Sequence, residues 1–238
     1  MESTREGNCR SQFNRTGEFF SKLPNSALES FRAMERPAPY AANVVLFAEG
    51  DPVRALFVVL SGEVRLSINS SEGKRLSLRI AREGDIIGLS STLTGTSYDM
   101  TAETLYPSKI ATIERREFLS FLARHPEAYQ AVTEELGRHM SEACSQLRTL
   151  GLCSTAPEKL ARLLLEWSDR GQTKEAGSRL RFSLTHEEIG DFIGTSRETV
   201  TRTLNNFKNR RLVAFQGSMM TIPSRAALAN YAHGQAYN

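Results

Sequence analysis

The apolar positions of this chain change their period along its length, and each change predicts a different kind of element. Between about 43 and 113 they alternate. In EVRLSI, Val64, Leu66 and Ile68 fall on one side of a strand with Arg65 and Ser67 on the other, and RLSLRI repeats the pattern with Leu76, Leu78 and Ile80. The breakers AEGD, LSGE, SSEGK and REGD divide these runs, and short strands so divided predict a sandwich or barrel. Before them, Leu28, Phe31 and Met34 recur every third residue, which predicts a short amphipathic helix over 24–34. After them, Pro126 suits a first helical position, and Leu136, Met140, Ala143, Leu147 and Leu150 recur at alternating spacings of four and three. That is a heptad seam on a helix of about 27 residues, a rod of about 40 Å. Such a seam can pack on the chain's own barrel or pair with a second copy; residues 1–18 show no apolar period and read as a mobile tail.

Beyond a break near 151–157, PEKLARLLLEWSDRG predicts a helix stopped by Gly171, and RLRFSL a short strand. Thr185 and Glu188 then form a Ser/Thr-x-x-Glu capping box ahead of the apolar stripe Ile189, Phe192 and Ile193. Past Gly194 and Thr195, Ser196 caps a second helix at once, so two short helices are joined by a tight turn, the helix-turn-helix pattern. Val200, Leu204 and Phe207 give the second helix one buried face. Its other face offers Arg197, Glu198, Thr201 and Arg202 near the N-terminal end, where such a helix enters the major groove. Arginine donates twice to guanine and glutamate accepts from cytosine, so a glutamate among cations favours base reading over simple phosphate attraction. A surface ion pair between Glu198 and Arg202 is the plainer alternative. RLVAFQGSMMTIP reads as a two-stranded wing, and Lys208, Arg210 and Arg211 either touch phosphate or are merely solvated.

Charge sharpens this picture. The net charge of +3 is concentrated at the C-terminal end: residues 153–238 hold 12 Lys/Arg against 8 Asp/Glu, and 195–213 hold 5 basic residues against Glu198 alone. No apolar run approaches the roughly 20 residues of a membrane span, and the first residues lack a secretory signal, which sets the expectation of a cytoplasmic protein with no membrane partner. Three scattered cysteines, Cys9, Cys144 and Cys153, suit reduced thiols and supply neither a disulfide framework nor a metal site. No Gly-rich phosphate loop, carboxylate pair or metal-ligand cluster stands out, so the expectation is a protein that is not an enzyme.

LFAEGD, ALFVVLSGEVRL, REGDIIG and THEEIGDFIGTSRETVTRTL together resemble the cyclic-AMP receptor protein/fumarate-nitrate regulator (Crp/Fnr) superfamily of bacterial transcription factors, over about 20–225. The resemblance implies an α+β chain: a tail over 1–18, a β-roll (a double-stranded β-helix resembling cyclic-nucleotide-binding domains) over 19–124, a dimerisation helix over 125–152 and a winged helix-turn-helix over 153–238. It implies a homodimer that binds double-stranded DNA at a TGTGA-like palindrome and activates by contacting RNA polymerase. Thr195, Ser196, Arg197, Glu198, Thr201, Arg202 and Lys208 are then the DNA-binding set, and the heptad residues the dimer interface.

The ligand pocket of that family would fall at Gly88, Leu89, Ser90, Ser91, Tyr98 and Asp99. In cyclic-nucleotide-binding members a glutamate there takes the ribose and an arginine the phosphate. Here Leu89 or Ser90 stands at the first position, Tyr98-Asp99 at the second, and Ala143-Cys144 replaces the adenine-contacting pair. An anion would meet Asp99 instead of a cation, so cyclic AMP is not the expected cofactor. An iron-sulfur cluster lacks its N-terminal cysteines, and haem lacks a roll ligand, leaving only His125 and His139 near the long helix. The hydroxyls of Ser90, Ser91, Thr92, Thr94, Thr96 and Ser97 belong to a polar loop or hold a different ligand, and Cys144 is either a packed residue or a redox-gating thiol beside the seam.

Overall fold

The computed structural model describes residues 17–170, 178–181, 184–217 and 219–232. Nearly all of the tail expected over 1–18, including Cys9, lies outside them; Glu18 already belongs to a helix.

Two helices, α1 (Glu18–Ser21) and α2 (Asn25–Ala33), precede β1 (Arg36–Tyr40), β2 (Val45–Phe47), β3 (Ala55–Ser61), β4 (Val64–Asn69), β5 (Arg75–Ala81) and β6 (Ile86–Ile87). A short α3 (Leu89–Thr94) then leads to β7 (Thr101–Thr104) and β8 (Ser108–Glu114). The strands form two antiparallel four-stranded sheets, ordered β1-β8-β3-β6 and β2-β7-β4-β5, whose facing residues build the interior of the roll around Phe47, Phe57, Val59, Leu66 and Tyr98. Outside it, α4 (Arg115–Arg124) closes a second core in which Phe31 meets Phe19, Phe20, Phe118 and Phe121 at ring separations of 5.4–6.3 Å.

The long helix α5 (Ala128–Leu152) begins two residues beyond Pro126, which instead sits in the turn whose carbonyl accepts from Tyr129 N–H. It is followed by α6 (Ala156–Arg170), β9 (Ser178–Arg181), α7 (His186–Ile193), α8 (Arg197–Asn209), β10 (Ala214–Gln216), β11 (Met219–Ile222) and α9 (Arg225–Ala232). The three last strands pair as β10-β11-β9, which gives the wing. The break between α5 and α6 is capped by Thr155 and Glu158, a second Ser/Thr-x-x-Glu box in which Thr155 Oγ1 accepts from Glu158 N–H at 3.3 Å and Glu158 Oε2 accepts from Thr155 N–H at 3.3 Å.

On β4, Arg65 and Ser67 do lie on the side away from Val64 and Leu66, and they are buried. One expectation about the strands fails: Leu76, Leu78 and Ile80 do not share a side of β5, because Leu66 pairs with Arg79 and Ser67 with Ser77, leaving Leu78 as the extra residue of a β-bulge. The bulge reverses the alternation, so that Ile80 points out into the core of the C-terminal unit.

An ion network fixes α5 against the roll. Arg138 meets Glu135 at 2.5 Å, Glu142 at 2.7 Å and, in the β5–β6 turn, Asp85 at 3.3 Å. Burial pushes the Glu135 carboxyl up, but hydrogen bonds from His139 and Arg138 and the Arg138 charge outweigh it and take the pKa from 4.5 to about 2. A carboxyl depressed on folding stabilises the fold above its unfolded value and loses that contribution as pH falls through its folded one. Stability should therefore decline from about pH 4.5 towards pH 2, and Glu135→Gln should decline less over that window, as measured by urea unfolding at about pH 7, 4 and 3.

Candidate nucleic-acid interface

Local sequence dictates the two helices at the exposed end of the molecule. Thr185 is extended and its hydroxyl accepts from Glu188 N–H at 3.2 Å, while Glu188 Oε2 accepts from Thr185 N–H at 2.8 Å, so both halves of the capping box are made. Gly194 ends α7 in the left-handed region at φ 64°, where a side chain would be strained. The turn folds back so closely that Thr195 N–H donates to Gly190 O at 3.0 Å, and a Cβ on Gly190 would meet the Thr195 carbonyl oxygen at 2.5 Å. Ser196 then caps α8 by accepting from Thr199 N–H at 3.3 Å.

Helix α8 is divided along its length. Val200, Thr203, Leu204 and Phe207 are buried, whereas Arg197, Glu198, Arg202, Asn205, Asn206 and Asn209 are exposed and border one shallow hollow. Among the described residues no ion pair joins Glu198 to Arg202. The Glu198 carboxylate is instead held below the ordinary range by its own backbone N–H, then by the Ser196 hydroxyl and the Arg197 charge, so it is ionised and purely an acceptor.

The other expected contact residues divide by role. Thr195 is half-buried and serves the turn through its backbone. The Thr201 hydroxyl is occupied, donating to Arg197 O at 2.9 Å and meeting His186 Nδ1 of α7 at 2.7 Å, so it joins the two helices. Lys208 is exposed outside the hollow, and the Arg210 guanidinium lies over the Tyr231 ring at 5.7 Å. Sequence reasoning passed over Asn205, Asn206 and Asn209; their four-residue spacing from Thr201, Arg202 and Asn205 was the available signal, and asparagine can bond an adenine edge.

Behind this unit, a cavity of about 370 Å³ lies between the roll and α5, and its lining includes Gly88, Leu89, Ser90, Ser91, Tyr98 and Asp99. Tyr98 is buried: its hydroxyl donates to Ala55 O at 2.7 Å and its ring stacks on Phe47 at 3.9 Å. Asp99 accepts from Ser91 Oγ at 3.3 Å. Arg79 is the lone lysine or arginine in that lining, and its guanidinium is already met by Glu142 at 3.4 Å, Asp85 at 3.5 Å and Ile86 O at 3.4 Å. His139 and Glu142 reach the cavity because α5 packs there, while Arg79 reaches it from β5 of the roll, and no local pattern announced either.

The heptad seam runs along the outer side of α5. Met140 and Leu147 are 67% and 68% exposed, Ala143 is exposed, and Leu136 is half-buried. Leu150 is half-buried beside the turn, 3.7 Å from where a Cβ of Gly194 would stand. Exposed Tyr129, seven residues before Leu136, extends the stripe. Cys144 is half-buried and Cys153 buried, both with free thiols. His125 meets Glu127 at 3.1 Å and His139 meets Glu135 at 3.0 Å. Among the described residues no helix is long and apolar enough to cross a membrane.

Comparison with known proteins agrees with this architecture. Residues 37–125 match the cyclic nucleotide-binding domain and residues 158–231 the Crp-like helix-turn-helix domain. The chain is 27% identical over 214 residues to a CRP-like cAMP-activated global transcriptional regulator of Mycobacterium tuberculosis, covering 90% of this chain and 95% of that one. It is 26% identical over 201 residues to the nitrogen fixation regulation protein FixK of Bradyrhizobium diazoefficiens, covering 84% and 83%. Among solved structures it resembles FixK2 of Bradyrhizobium japonicum with a TM-score of 0.75 at 23% identity, covering 86% of this chain and 98% of that one.

The close approach in the turn generates a direct test. Gly190→Ala should cost about 1–3 kcal/mol, because backbone and not a flexible side chain stands in the way, and chemical unfolding of the full chain followed at Trp167, which packs on Phe192 of α7, measures it.

Proposed function

Because the chain belongs to the Crp/Fnr family of transcription regulators, we propose that it acts as a cytoplasmic homodimer that reads a TGTGA-like palindrome through α8, activates transcription through RNA polymerase, and does so without cyclic AMP. The division of α8 is the observation that carries this reading. Its apolar face is buried, while two guanidinium groups and one ionised carboxylate stand exposed towards the N-terminal end, which a helix-turn-helix presents to a major groove. Pairing is supported by the stripe of Met140, Ala143 and Leu147, a run of exposed apolar side chains that a second α5 would cover in knobs-into-holes fashion.

Independence from cyclic AMP is supported by the charge of the cavity. A cyclic phosphate would lie near Asp99 and Glu142, and Arg79 is already neutralised by Asp85 and Glu142. The second reading, gating by the nucleotide, is favoured by the cAMP-activated character of the Mycobacterium tuberculosis relative. Anisotropy titration of a labelled palindrome with and without cyclic AMP separates them: equal affinity in both arms is expected, and strict dependence on the nucleotide would establish the second.

In the same assay Arg197→Ala should lose about 1–3 kcal/mol, concentrated at one base pair of each half-site; a small loss spread evenly over operator variants contradicts base reading. Lys208→Ala should weaken all sequences alike and reduce the slope of log affinity against log salt by about one.

A further inference from the structure

Over residues 64–67 of β4 and the facing part of β5, both faces of the hairpin are covered. Leu66 and Arg79 line the cavity on one side, while on the other Arg65, Ser77 and Ile80 lie beneath the helix-turn-helix. Arg65 is 4% exposed, and its guanidinium spans two bodies. Its Nη2 donates to Glu103, the cross-strand neighbour on β7, at 2.7 Å; its Nη1 donates to Glu188 Oε1 of α7 at 3.4 Å. Glu188 thus divides its carboxylate, with Oε2 closing the cap of α7 on the Thr185 N–H and hydroxyl at 2.8 and 2.9 Å and Oε1 left for Arg65.

Neighbouring groups reinforce the contact. Arg75 reaches Glu103 at 3.6 Å, and Asp191 of α7 lies within the field of both arginines. Buried Gln146 of α5 adds an uncharged strap, its amide nitrogen donating to Ser77 O at 3.1 Å and to Phe192 O of α7 at 2.6 Å. Ile80 and Leu105 of the roll share one apolar core with Ile189, Phe192 and Ile193. None of this hides the reading face, because Arg197, Glu198 and Arg202 remain exposed. The contact fixes a direction without blocking a surface.

We propose that Arg65 is a positioning residue for DNA binding: by holding Glu188 at the cap of α7 it sets the angle at which α8 leaves the roll, and with it the separation of the two α8 helices in a dimer. This rests on the DNA-reading function proposed above. Half-sites of a palindrome lie one helical turn apart, about 34 Å, so a loosened clamp leaves recognition of one half-site intact and abolishes the preference for the correct spacing.

Glu188→Gln isolates the clamp, because glutamine still completes a capping box while the charge facing Arg65 is gone. Arg65→Met provides a second variant, with Glu103 retaining Arg75. The first measurement needs no DNA. Spin labels at Glu72 and Asn209, both exposed, are placed in the full chain with Cys9, Cys144 and Cys153 replaced by alanine, and labelled protomers are diluted into unlabelled ones. Pulsed EPR should give one narrow distance in the parent and a broad distribution in both variants. The second measurement titrates palindromes of optimal spacing and of spacing two base pairs longer. Both variants should bind the optimal site about tenfold more weakly, bind a single half-site unchanged, and no longer distinguish the two spacings. An unchanged narrow distance in the variants, or an intact spacing preference, overturns the proposal. Should the parent recognise no palindrome, the DNA-reading function fails, and the distance measurement still decides whether Arg65 orients α8.

Discussion

A guanidinium sealed from water is tolerable only where carboxylates and carbonyls replace its hydration, and the β4–β5 hairpin carries two of them back to back. Arg65 faces outward and is met by Glu103 and Glu188; Arg79 faces inward and is met by Asp85, Glu142 and the Ile86 carbonyl. Each pairs across the hairpin with the sequence neighbour of the other, Arg65 with Ile80 and Arg79 with Leu66. One arginine therefore holds the helix-turn-helix and the other holds α5. Removing a single partner of such a pair costs about 3–5 kcal/mol, whereas replacing the whole pair with apolar residues is often neutral. Their value lies less in net stability than in specifying how the helix-turn-helix and α5 sit on one hairpin.

That constraint is also what the sequence concealed. The capping box at Thr185 and Glu188, the apolar spacing of Val200, Leu204 and Phe207, and the glycine turns of the roll are short-range signals, and each appears in the structure where its pattern put it. A buried arginine has no such signal: in EVRLSI it looks like the polar side of an ordinary half-exposed strand. The bulge at Leu78 is equally silent, because a strand of alternating residues looks the same whether or not its partner skips one. The cavity was legible only along the segment 88–99. Its remaining wall comes from other strands of the roll, through Phe47, Leu66, Leu78, Arg79 and Ile87, and from α5, and long-range packing writes no periodicity into either partner.

Double use of single residues follows the same logic. Glu188 was recognisable as a cap because capping is local, and its second oxygen acquires a partner 123 residues away only once the two halves of the chain meet. Thr201 shows the converse: its position on the outer part of α8 suggested a base contact, yet its hydroxyl is occupied by Arg197 O and His186. Helical periodicity says which side of a helix a residue occupies, and hydrogen bonding decides whether its polar atoms are free.

The seam and the cavity share residues, and this joins the proposed dimer to whatever the cavity holds. Leu136, Met140 and Ala143 line the cavity from α5 and also belong to the exposed stripe. Covering large apolar side chains such as Met140 and Leu147 is worth about 1.5–3 kcal/mol each, so a second α5 is a strong competitor for the same surface. A molecule in the cavity would touch the backs of residues that face the partner, and on its opposite side it would touch Leu66 and Leu78 of the hairpin whose outer face carries Arg65. The cavity is thus separated from the proposed pairing surface by the thickness of α5 and from the helix-turn-helix by the thickness of one hairpin, and packed elements of that kind shift between discrete arrangements instead of deforming smoothly.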